Sequence, residues 1–420
     1  MLQKALEWNA LLRDRMLPYW YNTTVNPCGG YKVYDPGDRS WRAQIRSMIN
    51  GGNDRSQNES MRGLVSHARL LWVFSHAHLL GYSTSQHDYL KRAAHGYSWL
   101  IDTMLDREYG GFYWKTDVDG GVIEPLKILY GQSMAIYALV EYHRASGLSE
   151  PLDYACSIYE TVQQRFHDDV HRGWIEHCER DFTPLSCTGD RLPGVPDIVG
   201  LKSGDAHLHW MEALTELYAE VKDASMRDSL VEAIQLLCTK FYPANLDQTC
   251  EYRLPDWKLV AGDELSRISH GHMIEFAWLL LHAQQALGTT RDWDHFERLV
   301  RHSLCYGFDH QLGGFYFRGK PNEPACDTTK FWWVQAEGLS ALTDAVAHSD
   351  EYNEPLAKLV DWIRNYQIRS DDGVWIVSTD AAARPLNVKK AGEWKAAYHE
   401  VRAITKFVQT FAPQAQYARC

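Results

Sequence analysis

No stretch of 18 consecutive apolar residues occurs in the chain, so nothing in it reads as a membrane-spanning helix. The opening residues, MLQKALEWNALLRDRMLPYW, form an amphipathic pattern broken by charges. They have neither the uninterrupted apolar core nor the cleavage-like site of a secretory signal. No Lys/Arg-rich run is present, and the formal net charge is −11. That balance argues against nucleic acid and anionic membrane surfaces as partners. The nine cysteines are scattered, odd in number and without a CxxC pair. They read as free thiols in a reducing cytosol and give no zinc–thiolate site. No low-complexity linker divides the 420 residues. The longest irregular stretch, DFTPLSCTGDRLPGVPDIVGLKSG at 181–204, reads as a functional loop inside one domain spanning 1–420. A cytoplasmic protein, monomeric or homodimeric, is expected.

What the chain does have is aromatic side chains, with 16 Trp and 23 Tyr. Many belong in a core, but flat aromatic faces also suit sugar rings, so carbohydrate is a candidate ligand class. It also has a long-period repeat. Arg69, Gln132, His207, His272, Gln335 and His399 interrupt apolar helical stretches at steps of 63, 75, 65, 63 and 64 residues. Gly-aromatic segments keep similar phase: YGGFYWKTD, HRGWIEHCE, LGGFYFRGK and DDGVWIVST. Each reads as a short hairpin closing a unit of two helices. Six such units predict an all-α (α/α)6 barrel, with inner and outer helices and short β-hairpins in the loops. The recurring polar residues then mark inner-helix N-termini facing one end of the ring. An open solenoid is the structural alternative, though its repeats are normally shorter and lack a shared polar focus.

The unit beginning SHGHMIEFAWLL places Glu275 three residues after His272, on the same helical face. A carboxylate there can orient an imidazole and hold its pKa near neutrality. The plainer alternative is an acid favoured in a helix's first turn.

The stretches LYGQSMAIYALVEYHRASG, DAHLHWMEALTELY, GHMIEFAWLL, WWVQAE and WKAAYHEVRA, in this order over roughly 60–405, resemble the N-acylglucosamine 2-epimerase superfamily. The likeness is greatest to its cellobiose (mannobiose) 2-epimerase branch. The resemblance implies an (α/α)6 barrel that epimerises sugars at C2, or isomerises aldoses to ketoses, without a redox cofactor or required metal. It implies His272 and His399 as the acid/base pair, Glu275 as the carboxylate supporting His272, Arg69 and His209 as substrate-binding residues, and Trp394 as a substrate-contacting tryptophan. Two segments depart from the branch pattern. Asp205-Ala206 stands where Asn-Thr is usual, and Ala396-Ala397 precedes Tyr398-His399 where Cys-Pro is usual. These lie at the pocket edge and bear on sugar preference more than on chemistry.

The chemistry fits these residue types. A C2 proton becomes acidic when the sugar ring opens and the C1 aldehyde withdraws electrons. Two imidazoles on opposite faces of C2 can remove the proton and return it inverted. An arginine can hold the charge developing on oxygen, a role for Arg69. His209 would bind a hydroxyl or assist ring opening. Trp394 with Trp332 or Trp333 would wall the sugar, only one of the adjacent pair facing it squarely. Tyr130 and Gln335 are further pocket candidates, and His207 is a packed histidine or one just behind the substrate contacts. The rivals are an aldose–ketose isomerase, a glycoside hydrolase using two carboxylates such as Asp205 and Glu275, and a non-catalytic sugar-binding toroid.

Overall fold

The computed structural model describes residues 1–26, 29–32, 61–185, 189, 191–262, 266–368 and 371–416. Cys28, Cys187 and Cys420 lie outside them, and the six cysteines within are free thiols. Among the described residues twelve helical segments alternate between an outer and an inner layer. The outer ones are α1 (Leu2–Leu11, continued by Leu12–Met16 and Leu17–Thr23), α3 (Tyr89–Trp99, continued by Leu100–Met104), α5 (Glu150–Arg165), α7 (Ala224–Leu236, continued by Leu237–Phe241), α9 (Trp293–Gly307) and α11 (Asn353–Trp362, continued by Ile363–Gln367). The inner ones are α2 (Leu64–Leu79), α4 (Leu129–Ser146), α6 (Gly204–Val221), α8 (His270–Leu287), α10 (Trp332–His348) and α12 (Tyr398–Phe411). Each inner helix packs on the next, and α12 returns to α2, so the ring closes as an (α/α)6 barrel. The first helix is the outer partner of the last inner one: α1 lies against α12, with the Trp8 and Phe407 rings 5.6 Å apart.

The two layers follow from sequence periodicity. In α9 the buried residues Phe296, Leu299, Val300 and Ser303 sit at helical spacing on one face. The inner helices are enclosed on both sides, and α4 is buried continuously from Leu129 to Tyr142. No described helix is long and apolar enough to cross a membrane.

Short antiparallel pairs tie each unit to the next. The strands β1 (Met61–Gly63), β4 (Lys127–Ile128), β6 (Lys202–Ser203), β8 (Ile268–Ser269) and β10 (Lys330–Phe331) lead into α2, α4, α6, α8 and α10. They pair respectively with β2 (Lys115–Asp117), β5 (His177–Cys178), β7 (Tyr252–Arg253), β9 (Arg318–Gly319) and β11 (Ser378–Thr379). The strands β3 (Val122–Glu124) and β12 (Pro385–Asn387) extend the first and last pairs. At each junction the first amide of the inner helix donates to the hairpin of the following unit, onto the carbonyls of Trp114, Glu176, Glu251, Phe317 and Val377. The exception is α12, entered through Ala397 at φ 61°.

Buried lysines lock these hairpins. Lys330 Nζ donates to Asp309 Oδ2 at 2.8 Å and to the Gly313 carbonyl at 2.7 Å, and its side chain is fully buried. Lys127 with Asp106 and Lys202 with Asp168 repeat the arrangement. Removing one member of such a pair strands a buried charge, at a cost of about 3–5 kcal/mol. Lys330→Met should therefore lower the denaturant midpoint by an amount of that order. A midpoint within error of the parent would show the pair to be dispensable.

Candidate active site

At one end of the ring the first two turns of the inner helices surround a cavity of about 430 Å³. Every inner helix supplies a wall residue: Arg69 from α2, Tyr130 from α4, His209 from α6, His272 from α8, Trp333 from α10 and His399 from α12. Trp332 and Trp394 also line it.

Helix geometry decides which polar residues reach the cavity. The second and sixth residues of a helix share a face, and Asp205 and His209 hold these places in α6. The fourth residue lies about 200° round from the second and faces away. Gln132, His207 and Gln335 occupy that fourth position. The amide of Gln335 accepts from Phe315 N at 2.7 Å and donates to the Phe315 carbonyl at 2.8 Å. Gln132 treats Phe112 the same way. His207 Nε2 accepts from Trp174 N at 3.3 Å while its Nδ1 donates to the Ser203 carbonyl at 2.8 Å. The expectation of a pocket contact from Gln335 is thus corrected, while His207 is the packed histidine that was the alternative to a place just behind the substrate. Both are struts between an inner helix and its hairpin, and the long-period repeat had merged residues at the second, third, fourth and sixth helical positions.

His272 enters the cavity because Ser269 caps α8, its Oγ accepting the His272 amide at 3.2 Å. Its Nδ1 lies 2.9 Å from Glu251 Oε2 and its Nε2 3.5 Å from Asp205 Oδ1. Burial opposes a cationic ring here, but Asp205 and Glu251 outweigh it and push His272 up to about 9. The expected bond from Glu275 to His272 is not formed. Glu251, from the hairpin of the preceding unit, takes that place, and Glu275 Oε1 instead accepts from Arg402 Nη2 at 2.9 Å.

His399 is in the opposite state. Burial lowers it to about 3, with Arg69 and Arg402 adding to the effect against its bond to Glu337. Its Nδ1 donates to Glu337 Oε1 at 2.6 Å, which leaves the Nε2 lone pair available. The Trp333 ring neighbours both imidazoles, its centroid 4.8 Å from that of His272 and 6.2 Å from that of His399. Arg69 is fixed by bonds to the Trp394 carbonyl at 2.6 Å and the Tyr130 hydroxyl at 2.7 Å. His209 is held by Glu212 at 2.9 Å and lies 3.3 Å from Asp205. Burial opposes its charge too, but these carboxylates push it up to about 10.

Behind the cavity floor Arg402 of α12 binds carboxylates from three other inner helices: Glu212, Glu275 and Glu337. It also bonds the Tyr398 hydroxyl. Burial disfavours ionisation of Glu337, but Arg402 and His399 hold it well below the usual carboxylate range. Burial, and then the charge of Glu337, raise Glu275 to about 7. Glu275, Glu337 and His399 bring ligand-type atoms within 4.8 Å of one another. The Arg402 guanidinium already donates to both carboxylates of that cluster, on one oxygen of each, at 2.9 Å.

These contacts separate Glu251 from Glu275 by experiment. His272 acting as an acid loses activity as pH rises through its pKa. Glu251→Gln removes an anion that raises that pKa, so the alkaline limb of turnover should move to lower pH. Glu275→Gln, which loses no bond to His272, should move it less. Equal shifts in the two variants would reverse this division of roles.

A model of the family described as N-acylglucosamine 2-epimerase (GlcNAc 2-epimerase) matches residues 52–403. The chain is 25% identical over 401 residues to the cellobiose 2-epimerase of Dictyoglomus turgidum, covering 95% of this chain and 96% of that one. It is 22% identical over 414 residues to the D-mannose isomerase of Marinomonas mediterranea, covering 94% and 95%. The solved cellobiose 2-epimerase from Bacillus thermoamylovorans superposes with a TM-score of 0.83 at 24% identity, over 97% of this chain and all of that one.

Proposed function

The chain belongs to the N-acylglucosamine 2-epimerase family, and we propose that it is a carbohydrate epimerase that inverts C2 of a reducing sugar with a glucose- or mannose-type reducing end, alone or in a β-1,4 disaccharide. One observation carries the reading. Two imidazoles on different inner helices, each near Trp333 and facing one cavity, rest in opposite protonation states. In the open-chain sugar, neutral His399 takes the C2 proton through Nε2. The electron pair moves into the C1–C2 bond and onto O1, giving a cis-enediolate. Arg69, which lines the same cavity and whose charge acts on His399, holds that oxygen. Protonated His272 then returns a proton to the other face of C2. Glu251 and Glu337 fix the rings, while His209 and the unpartnered Oε2 of Glu275 are placed to bind hydroxyls.

After one inversion the two histidines have exchanged protonation states, and the resting state returns by exchange with solvent. In D₂O the epimer should therefore carry deuterium at C2, read by NMR on glucose, mannose, N-acetylglucosamine, cellobiose and mannobiose. Likeness to a D-mannose isomerase keeps an aldose–ketose isomerase as the second reading. It predicts a ketose with deuterium at C1, because the proton then returns one carbon away. No epimer and no ketose from any of the five sugars would remove both readings.

A further inference from the structure

Besides Arg69, which is tied to Trp394 and Tyr130, two arginines line the cavity, and neither belongs to the proton-transfer machinery. Arg318 lies in β9, whose partner strand β8 leads into α8 and His272. Arg191 lies on the long loop before α6. Each guanidinium is set by an aromatic ring. Arg318 sits 4.5 Å from the Phe317 centroid, and Arg191 lies 5.7 Å from the Tyr252 ring while donating to its hydroxyl at 3.2 Å.

Neither has a carboxylate within ion-pair distance among the described residues, and the buried Nε of Arg318 has no hydrogen-bond partner. The carboxylates of the cavity are committed elsewhere. Glu251 holds His272 and the Ser269 amide, Asp205 sits between His209 and His272, and Glu275 meets Arg402. Asp197 accepts from Ser203 and Tyr252. Arg318 influences Glu251 only at longer range than an ion pair.

This is a costly way to recognise a neutral sugar, whose hydroxyls are served by aromatic faces and by acceptors as well as donors. Planar guanidinium forks held by rings fit a carboxylate, phosphate or sulfate instead. Arg191 is exposed at the cavity mouth and Arg318 half-buried; in a chain of formal net charge −11 they are not the overflow of a basic surface.

We propose that the substrate carries an anionic group, received by Arg318 and Arg191, while Arg69, His272 and His399 hold the reducing end. This rests on the reading that the cavity takes a reducing sugar, and it narrows that sugar to an acidic one. The anion is either a uronate on a second sugar or a phosphate on the same one.

Binding of C1-reduced analogues, which cannot react, tests it apart from turnover. Calorimetry at low ionic strength would compare 4-O-β-glucuronosyl-glucitol with cellobiitol, and glucitol 6-phosphate with glucitol. At least one anionic member should bind tenfold or more tightly than its neutral counterpart. Which pair shows the preference identifies the source of the anion. Arg318→Gln with Arg191→Gln should erase that preference and leave neutral binding within about twofold. No preference in either pair, or a preference that survives the double variant, overturns the proposal. C2 epimer formed from neutral sugars without any anion preference would sink this inference alone. Anion preference without C2 exchange in any of the sugars would keep the acidic ligand and sink the epimerase.

Discussion

Replacing His399 with Ala should lower turnover by about 10²–10⁴-fold, the usual scale of a lost general acid or base. The ring is buried and Arg402 keeps Glu337 paired, so the fold should persist. Comparison with His272→Ala makes the result specific. If His399 is the resting base, the His272→Ala protein still removes and replaces the C2 proton on one face. It should therefore exchange deuterium into one C2 epimer of the substrate while forming little of the other. His399→Ala should lose both exchange and inversion for that same sugar. Exchange that survives in His399→Ala and vanishes in His272→Ala would invert the assignment.

The second large effect is expected at Arg402. Arg402→Met leaves Glu212, Glu275 and Glu337 in the ring without their shared cation. Stranded buried charge should cost about 3–5 kcal/mol of folding stability at neutral pH. The pH dependence has a definite sign. Without the guanidinium these carboxylates have folded-state pKa values above their unfolded ones, so the folded state binds more protons and stability falls as pH rises between the two. Urea denaturation should show the deficit against the parent growing from pH 5 to pH 8. A deficit independent of pH would mean that Arg402 contributes packing and not charge. Turnover should fall as well, since Glu337 orients His399.

Much of this was legible in the amino-acid order. Inner helices enclosed on both sides must be apolar, so the few polar residues in them stand out and their long period gives the ring. His272 is announced by Ser269 and its helix start. Three parts were harder to read, each for a physical reason. Period alone does not distinguish the second residue of a helix from the fourth, which lie on opposite faces; hence Gln335 looked like a wall residue. Glu251 reaches His272 from a hairpin equivalent to those at Trp114, Glu176, Phe317 and Val377. Its own segment, NLDQTCEYRL, lacks the glycine that marks the other turns, so the pattern of Gly-aromatic segments passes over it. Alignment of WIEHC with CEYRL would have found it, since Glu176 likewise accepts the amide of the residue before its inner helix. Arg402 and Glu337 do not stand out from ordinary polar residues on helices, because three-way pairing between helices leaves no local trace in a sequence.

The pairing of Arg402 also bears on the order in which the molecule is made. Its carboxylate partners lie 65, 127 and 190 residues earlier in the chain. As the polypeptide emerges during synthesis, α6, α8 and α10 are available to fold before α12 exists. Their three acids then face one another with no guanidinium between them, and the seam from α10 to α2 is open. Contacts this distant in sequence must also bear the entropy of closing long loops, which slows their formation. Docking of α12, backed by α1 from the opposite end of the chain, supplies the missing cation, the seam and His399 together. On the proposed mechanism, both proton-transfer groups are then in place only after this late step of folding.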